Sequence, residues 1–375
     1  MRRFLVVLII ALCAAATLAA GGSRERPSGA PEKSGEKGEA VEKETEKRTG
    51  EGLENGTGEE PEDGTQGQKT KKAEMRESLT LEAATLKGPS GFGMIQMFEE
   101  APELGDNVEA EFQVLPTPQE MVARVAGGDL DFAVFPSNMG AKLYTEGPGY
   151  KLGAVVGLGL LSVVSRDGSI EEWTDLKGRR VYSIGKGATP DFLFRYLMEE
   201  NGVDPEEELN LDFSVRSGAQ LAQLLIGEKA ETAVLPEPFV TMVNLRTEGE
   251  VDTVLDFQEE WKKVQDTETT YPITVVVVKP SLVQERPEVV ERFLDSYRDS
   301  IEWVKENPAD AAELIEKYDV LPAALAEPAI PNCNLTFIPS GEARTLMENY
   351  LQVLLDFNPA SVGGALPDED FYLDF

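Results

Sequence analysis

Two stretches of the sequence share one pattern: Ala230–Val243 (AETAVLPEPFVTMV) and Asp129–Lys142 (DLDFAVFPSNMGAK). Each begins with a short apolar run, ends that run at a proline and continues with a helical pattern. In an open α/β sheet, such a turn lies at the carboxyl edge of the sheet, where free N–H groups of the following helix contact ligands. Two copies therefore predict two α/β lobes, each of which contributes one rim of a shared cleft.

Residues 1–22 have the layout of a secretory signal peptide. Two arginines precede an apolar run from Phe4 to about Leu12, and small residues follow, with cleavage expected between Ala19 and Gly22. The run is too short for a stable membrane span. Cys13 is a candidate lipidation site. Because a leucine precedes it where a small residue is usual, the alternative is that Cys13 belongs to the cleaved signal.

Residues 23–78 are rich in Glu, Lys, Gly, Thr and Ser and contain almost no apolar side chains. Such a segment cannot bury enough surface to offset the entropy lost on ordering, so we expect a disordered polar tether. A signal followed by a tether predicts an exported protein, in the periplasm or at the outer face of the cytoplasmic membrane. Its contact with the membrane would be confined to an N-terminal lipid anchor.

The residue types that the sequence lacks exclude several chemistries. The chain has no histidine, which excludes Ser–His and Cys–His catalysis and removes most zinc sites, so we predict no metal site and no cofactor. Apart from Cys13, the only cysteine is Cys333, so an intramolecular disulfide in the mature chain is excluded. The net charge of −33 argues against nucleic acid as a partner and indicates an acidic, hydrated surface.

From about Ser78 onward, strand and helix patterns alternate and predict an α/β protein. The alternation restarts near Ser169, and the apolar segment 270–283 (TYPITVVVVKPSLV) then predicts a central strand. The expected lobes are residues 79–168 plus 269–375 for lobe I and residues 169–268 for lobe II. Two chain crossings, near Ser169 and Thr270, would form a hinge that closes on a small ligand.

Several segments give the sequence a resemblance to a known family. They are GPSGFGM (88–94), DLDFAVFPSN (129–138), WTDLKGRRVYSIGKGATP (173–190), LPEPFVT (235–241), AIPNCNLTFI (329–338) and SVGGALPDEDFY (361–372). In the order and spacing of these segments, the chain resembles the extracytoplasmic substrate-binding proteins of ABC importers. The group it resembles includes nitrate, sulfonate, taurine and thiamine-pyrimidine-precursor binders. The resemblance extends over roughly residues 80–375 and implies a two-lobed periplasmic-binding-protein fold of the second topological type.

The expected ligand-binding residues follow strands or open the next helices. The loops GPSGFG (88–93) and GKGATP (185–190) place backbone N–H groups at helix starts, although an ordinary tight turn explains them equally. Thr189 also suits a helix cap, and Glu237 suits either an amino group of the ligand or the dipole of its helix. Aromatic residues near such loops stack on flat ligands or belong to the core. The full set is Pro89, Ser90, Gly91, Phe92, Pro136, Ser137, Asn138, Gly187, Ala188, Thr189, Glu237 and Tyr271.

These features predict a monomer that binds a small polar or anionic solute between its lobes and delivers it to the membrane subunits of an ABC importer. The alternatives are a solute-sensing lipoprotein for a signalling receptor and an enzyme on the same fold. Related folds include synthases of the thiamine pyrimidine that use a histidine, which this chain lacks. Glu237 and Cys333 have no evident catalytic companions, so we predict no catalytic residue.

Overall fold

The computed structural model describes residues 78–374. The predicted signal peptide, Cys13 and residues 23–77 of the predicted tether lie outside the described residues. The strands are β1 (Leu79–Leu86), β2 (Val108–Leu115), β3 (Phe132–Pro136), β4 (Lys151–Leu158), β5 (Leu161–Ser165), β6 (Arg180–Tyr182), β7 (Asn210–Asp212), β8 (Thr232–Pro236), β9 (Asp252–Asp256), β10 (Pro272–Val278) and β11 (Leu335–Pro339).

The helices alternate with these strands along most of the chain. They are α1 (Pro89–Phe92), α2 (Ile95–Glu99), α3 (Pro118–Gly127), α4 (Ser137–Thr145), α5 (Thr189–Glu200), α6 (Gly218–Ile226), α7 (Phe239–Arg246), α8 (Phe257–Gln265), α9 (Pro280–Glu285), α10 (Pro287–Glu306), α11 (Pro308–Lys317), α12 (Ala323–Ala329) and α13 (Ser340–Phe357), with 3₁₀ turns at Trp173–Leu176, Ile330–Asn332, Pro359–Ser361 and Glu369–Phe371. Within residues 78–374, no helix combines the length and apolar character needed to cross a membrane.

Within the described residues, the strands form two sheets. The first has the order β11-β4-β10-β3-β1-β2, and the second has the order β7-β6-β8-β5-β9. We call each sheet with the helices packed against it the first lobe and the second lobe. The predicted α/β class is confirmed. The predicted central strand is confirmed as well, since β10 lies between β4 and β3 and Val275–Val278 are fully buried.

The second sheet begins earlier in the chain than the sequence predicted. Strand β5 falls within the range expected for lobe I (79–168), but it pairs antiparallel with β8 and β9 of the second sheet. The boundary expected at residue 169 is therefore corrected: the chain leaves the first sheet at Gly159-Leu160, between β4 and β5. It returns between α8 and β10, at residues 266–271. Both β4 and β5 are apolar, so hydrophobicity alone could not assign them to different sheets.

Aromatic side chains pack beside these two crossings. The ring of Tyr271 is fully buried and stacks on Tyr350 of α13, with ring centroids 6.1 Å apart, and it meets Trp261 of α8 edge-on at 5.5 Å. Its hydroxyl donates to Gln258 Oε1 at 2.9 Å. A Cβ at Gly159 would lie 2.5 Å from Tyr271 Cζ, so glycine is required at this close approach. The cluster joins the two lobes at the crossings.

Candidate functional site

A cavity of about 650 Å³ lies at the carboxyl edge of the second sheet. The ends of β8 and β9 and the start of β5 meet there, because Leu161 pairs with Pro236 and Ser162 pairs with Asp256. Helix α7 of the second lobe and the segment between α12 and β11 of the first lobe both contribute to its wall. The lining residues are Leu160, Ser162, Glu237, Val240, Thr241, Asn244, Leu245, Asp252, Thr253, Asp256, Gln258, Pro328, Pro331, Asn332 and Asn334.

Glu237 is the buried carboxylate of this cavity, with 8% of its surface exposed. It follows the last residue of β8, so the strand-to-helix turn carries it to the sheet edge. Its Oε2 accepts a hydrogen bond from the Thr241 N–H at 3.1 Å, and its Oε1 accepts one from the Thr241 hydroxyl at 3.0 Å. Burial raises the pKa of Glu237 above its ordinary 4.5, while the two bonds from Thr241 act in the opposite direction.

The first lobe reaches this carboxylate through Asn332. Asn332 Nδ2 donates to Thr241 Oγ1 at 3.0 Å, and that hydroxyl in turn donates to Glu237. Two residues further on, Asn334 Nδ2 donates to the Gly159 carbonyl at the first crossing. The short segment 332–334 therefore contacts both the cavity and the point where the chain passes between lobes, and it links the geometry of one to the other.

Two further carboxylates line the cavity from β9. Asp256 Oδ1 accepts hydrogen bonds from the N–H groups of Gln258 at 2.7 Å and Glu259 at 3.2 Å, and so caps α8. Asp252 Oδ1 accepts a hydrogen bond from Asn244 Nδ2 at 3.1 Å. The lining residues include no lysine or arginine, so the cavity is negatively charged.

The predicted residues after β1 have local structural partners. Pro89, Ser90, Gly91 and Phe92 form α1, and the Phe92 ring is fully buried in the core of the first lobe. The Ser90 carbonyl accepts a hydrogen bond from the Thr85 hydroxyl at 2.9 Å. A Cβ at Gly91 would lie 2.9 Å from the Leu86 carbonyl oxygen, so the turn itself requires a glycine here.

The predicted residues after β3 lie at the start of α4. Pro136 ends the strand, and Ser137 and Asn138 begin the helix. Asn138 Nδ2 donates to the Ser361 carbonyl at 3.3 Å, so its amide contacts the C-terminal segment of the first lobe. The Ser137 hydroxyl is fully buried and has no hydrogen-bond partner within residues 78–374. Neither residue lines the cavity beside Glu237.

In the predicted glycine-rich loop of the second lobe, backbone N–H groups donate to acceptors within the same loop and the helix that follows it. The Gly187 N–H donates to Asp191 Oδ2 at 2.8 Å, and the Ala188 N–H donates to the Gly185 carbonyl at 2.8 Å. The Thr189 side chain is buried beside the hydroxyl of Tyr350. The N–H groups of Gly187 and Ala188, two of the donors that the sequence offered to an anion, thus have partners in the protein itself.

Of the twelve predicted ligand-binding residues, Glu237 lines the cavity, and Tyr271 adjoins it because its hydroxyl holds Gln258. Sequence reasoning missed Ser162, Thr241 and Asn332. One signal was available for Thr241, which stands four residues after Glu237 on the same helical turn. The other two are brought to Glu237 only by contacts between distant parts of the chain.

The two sheets, the two crossings and the cavity at a carboxyl edge define the class of protein: it has the two-lobed periplasmic-binding-protein fold. An ABC transporter structure from Parabacteroides distasonis is 24% identical, covers 80% of this chain and 99% of its own, and gives a TM-score of 0.69. The aliphatic sulphonate binding protein SsuA of Escherichia coli is 13% identical over 77% of this chain and 92% of its own, with a TM-score of 0.62. The nitrate-binding protein NrtA of Synechocystis PCC 6803 is 14% identical over 75% and 82%, with a TM-score of 0.54.

A family model matched to the sequence assigns the chain to a narrower group than the fold does. Residues 106–311, more than half of the 375 residues, match the family described as NMT1/THI5 like. The chain belongs to this family. A comparison with curated proteins gave no match.

Proposed function

We propose that this protein is the solute-binding component of an ABC importer, which encloses a small solute between its lobes and delivers it to the membrane subunits. The observation that carries the proposal is the cavity where Glu237 of the second lobe and Asn332 of the first share Thr241. Its volume, about 650 Å³, lies within the range of small-molecule sites. The periplasmic sulphonate-binding and nitrate-binding proteins with the same fold support this role.

The chemistry of Cys333 favours binding over catalysis. This thiol is buried, and burial together with the nearby charge of Glu237 raises its pKa well above the ordinary value. A nucleophilic cysteine needs a lowered pKa and access to substrate. Cys333 therefore stays a protonated packing residue at neutral pH.

The test is to identify what the purified full-length protein retains. Native mass spectrometry should show a fraction of molecules carrying one small solute, and denaturation should release that solute for identification. Isothermal titration of the solute-free protein should then give one site per chain. Recovery of the solute in a chemically altered form, after incubation with catalytic amounts of protein, would overturn the binding role in favour of an enzyme.

A further inference from the structure

The charged side chains around the cavity are all acidic. Glu237, Asp252 and Asp256 contribute carboxylate oxygens, and the lining residues include no cationic side chain to balance them. A carboxylate presents only acceptor sites when ionised. An anion placed here would meet like charge, whereas a cation would be attracted to each of these groups.

Three of the four amide side chains at the cavity donate a hydrogen bond to the protein. Asn244 Nδ2 donates to Asp252, Asn332 Nδ2 donates to Thr241, and Asn334 Nδ2 donates to the Gly159 carbonyl. The fourth, Gln258, accepts with Oε1 from the Tyr271 hydroxyl and the Leu161 N–H, so its Nε2 is an uncharged donor that stands beside the three carboxylates.

The two helices that begin beside the cavity have their first turns capped internally. Glu237 accepts from the Thr241 N–H of α7, and Asp256 accepts from the Gln258 and Glu259 N–H groups of α8. A helix N-terminus is a common anion site because its free N–H groups and dipole favour negative charge. Here the protein's own carboxylates occupy that role, so these termini do not supply an anion site.

Ser162 offers a polar contact inside this cavity. Ser162 lines it, and only 6% of this residue is exposed. No hydrogen bond joins its hydroxyl to another residue in the described part of the chain, and this oxygen is not one of the fully enclosed polar atoms without a partner, so it is accessible from the cavity. A hydroxyl that faces the cavity without a protein partner is available to a solute.

We infer that this cavity binds an organic cation, a small solute that carries a protonated amine, amidine or guanidine group beside Glu237 and a polar group within reach of Ser162. A metal ion does not fit as well, because within residues 78–374 no three acidic or cysteine side chains lie close enough together to hold one. The inference rests on the proposed solute-binding function and names its substrate class.

The experiment uses the solute-free full-length chain and four probes of similar size: butylammonium, butylguanidinium, butanamide and butanesulfonate, with nitrate as a fifth. Thermal unfolding is followed at equal ionic strength, and affinities are measured by titration. We expect the two cations to raise the melting temperature and the anions to leave it unchanged. For butylguanidinium, Glu237→Gln should raise the dissociation constant about tenfold or more, because a charge-assisted hydrogen bond is lost.

Glu231→Gln is the matched control, since Glu231 is an exposed acid that immediately precedes β8, at the opposite end of the same strand from Glu237. It should leave the affinity for butylguanidinium within twofold of the parent. Ser162→Ala is a second variant that keeps every charge, and it should weaken a probe with a hydroxyl or amide group, such as 4-guanidinobutanamide, more than butylguanidinium itself.

Three results would overturn the inference: stabilisation by butanesulfonate or nitrate, a cation effect that survives Glu237→Gln, or no response to either cation. The proposed function is judged separately by the retained solute. An anion recovered from the purified protein would refute the cation class and leave solute binding intact. If the purified protein retains no solute and responds to no probe, both the solute-binding function and the cation class are contradicted.

Discussion

Replacement of Gly159 by alanine tests how the two lobes are joined. A Cβ at this position would lie 2.5, 2.7 and 2.9 Å from three carbons of the Tyr271 ring. Carbon atoms rest at about 3.5–4.0 Å, so the ring or the chain must shift by about 1 Å. Because the φ angle of Gly159 is not in the left-handed region, the backbone itself admits alanine and the steric contact alone decides the outcome.

The ring has little freedom to move. Tyr350 and Trp261 pack against it, and its hydroxyl donates to Gln258 and accepts from the Leu161 N–H at 3.3 Å. Overpacking a core by one methyl group costs about 1–3 kcal/mol, and a weakened hydroxyl network adds about 1 kcal/mol. The lower entropy of the unfolded alanine chain offsets about 0.4–1 kcal/mol. We expect the free energy of unfolding to fall by about 2 kcal/mol.

Urea titration followed by tryptophan fluorescence measures this loss, and Gly168→Ala is the control. A Cβ at Gly168 would have no heavy atom within 4 Å, and the φ angle of this residue is not left-handed, so its variant should stay within about 0.5 kcal/mol of the parent. In a Tyr271→Leu background, Gly159→Ala should cost less than about 0.5 kcal/mol, because the opposing ring is gone. Equal stability of the two alanine variants, or the same cost in both backgrounds, would refute the steric argument.

Asn332→Leu removes the donor to Thr241 and should lower the free energy of unfolding by about 1 kcal/mol and weaken solute binding several-fold; unchanged titration and melting curves would contradict the link between lobes. For Glu237, whose folded pKa is raised above 4.5, the stability it contributes is fully present below about 4.5 and is lost as the pH rises through the raised value. The unfolding free energy of the parent minus that of Glu237→Gln should therefore fall as the pH rises above about 4.5, and a difference that is flat or rises with pH would be evidence against burial as the dominant effect. Asp191→Ala removes one of the two carboxylates that pair with the half-buried Arg195, the other being Glu206, and also removes the acceptor of the Gly187 N–H; it should lower the free energy of unfolding by about 1–2 kcal/mol, and a urea midpoint equal to that of the parent would disprove this role.

The sequence predicted the elements whose patterns are local and strong. The four valines of Val275–Val278 predict a buried central strand because a sheet covered on both faces needs a continuous apolar run. The helix α12 and the strand β11 were not predicted. Pro328 interrupts the helical pattern of α12, and β11 has one buried residue, Leu335, so neither shows a clear periodicity.

The candidate site was predictable only in part. Glu237 stands out in the sequence because a carboxylate between two prolines follows an apolar strand, a position that places it at a sheet edge. Asn332 reaches Thr241 across 91 residues of chain, and no local pattern encodes such a contact. The loop around Gly187 shows that a local pattern can also mislead. Its composition suits anion binding, but the carboxylate of Asp191, four residues further on, accepts the Gly187 N–H that an anion would need.

A crystal structure of the full-length protein with the solute it retains would show whether Glu237 binds that solute. We expect electron density for one small molecule in the cavity between α7 and the 332–334 segment, with a nitrogen atom of the solute about 3 Å from a Glu237 carboxylate oxygen and the Asn332–Thr241 contact in place. A solute bound elsewhere, for example at the Gly187 loop with no atom in contact with Glu237, would contradict it.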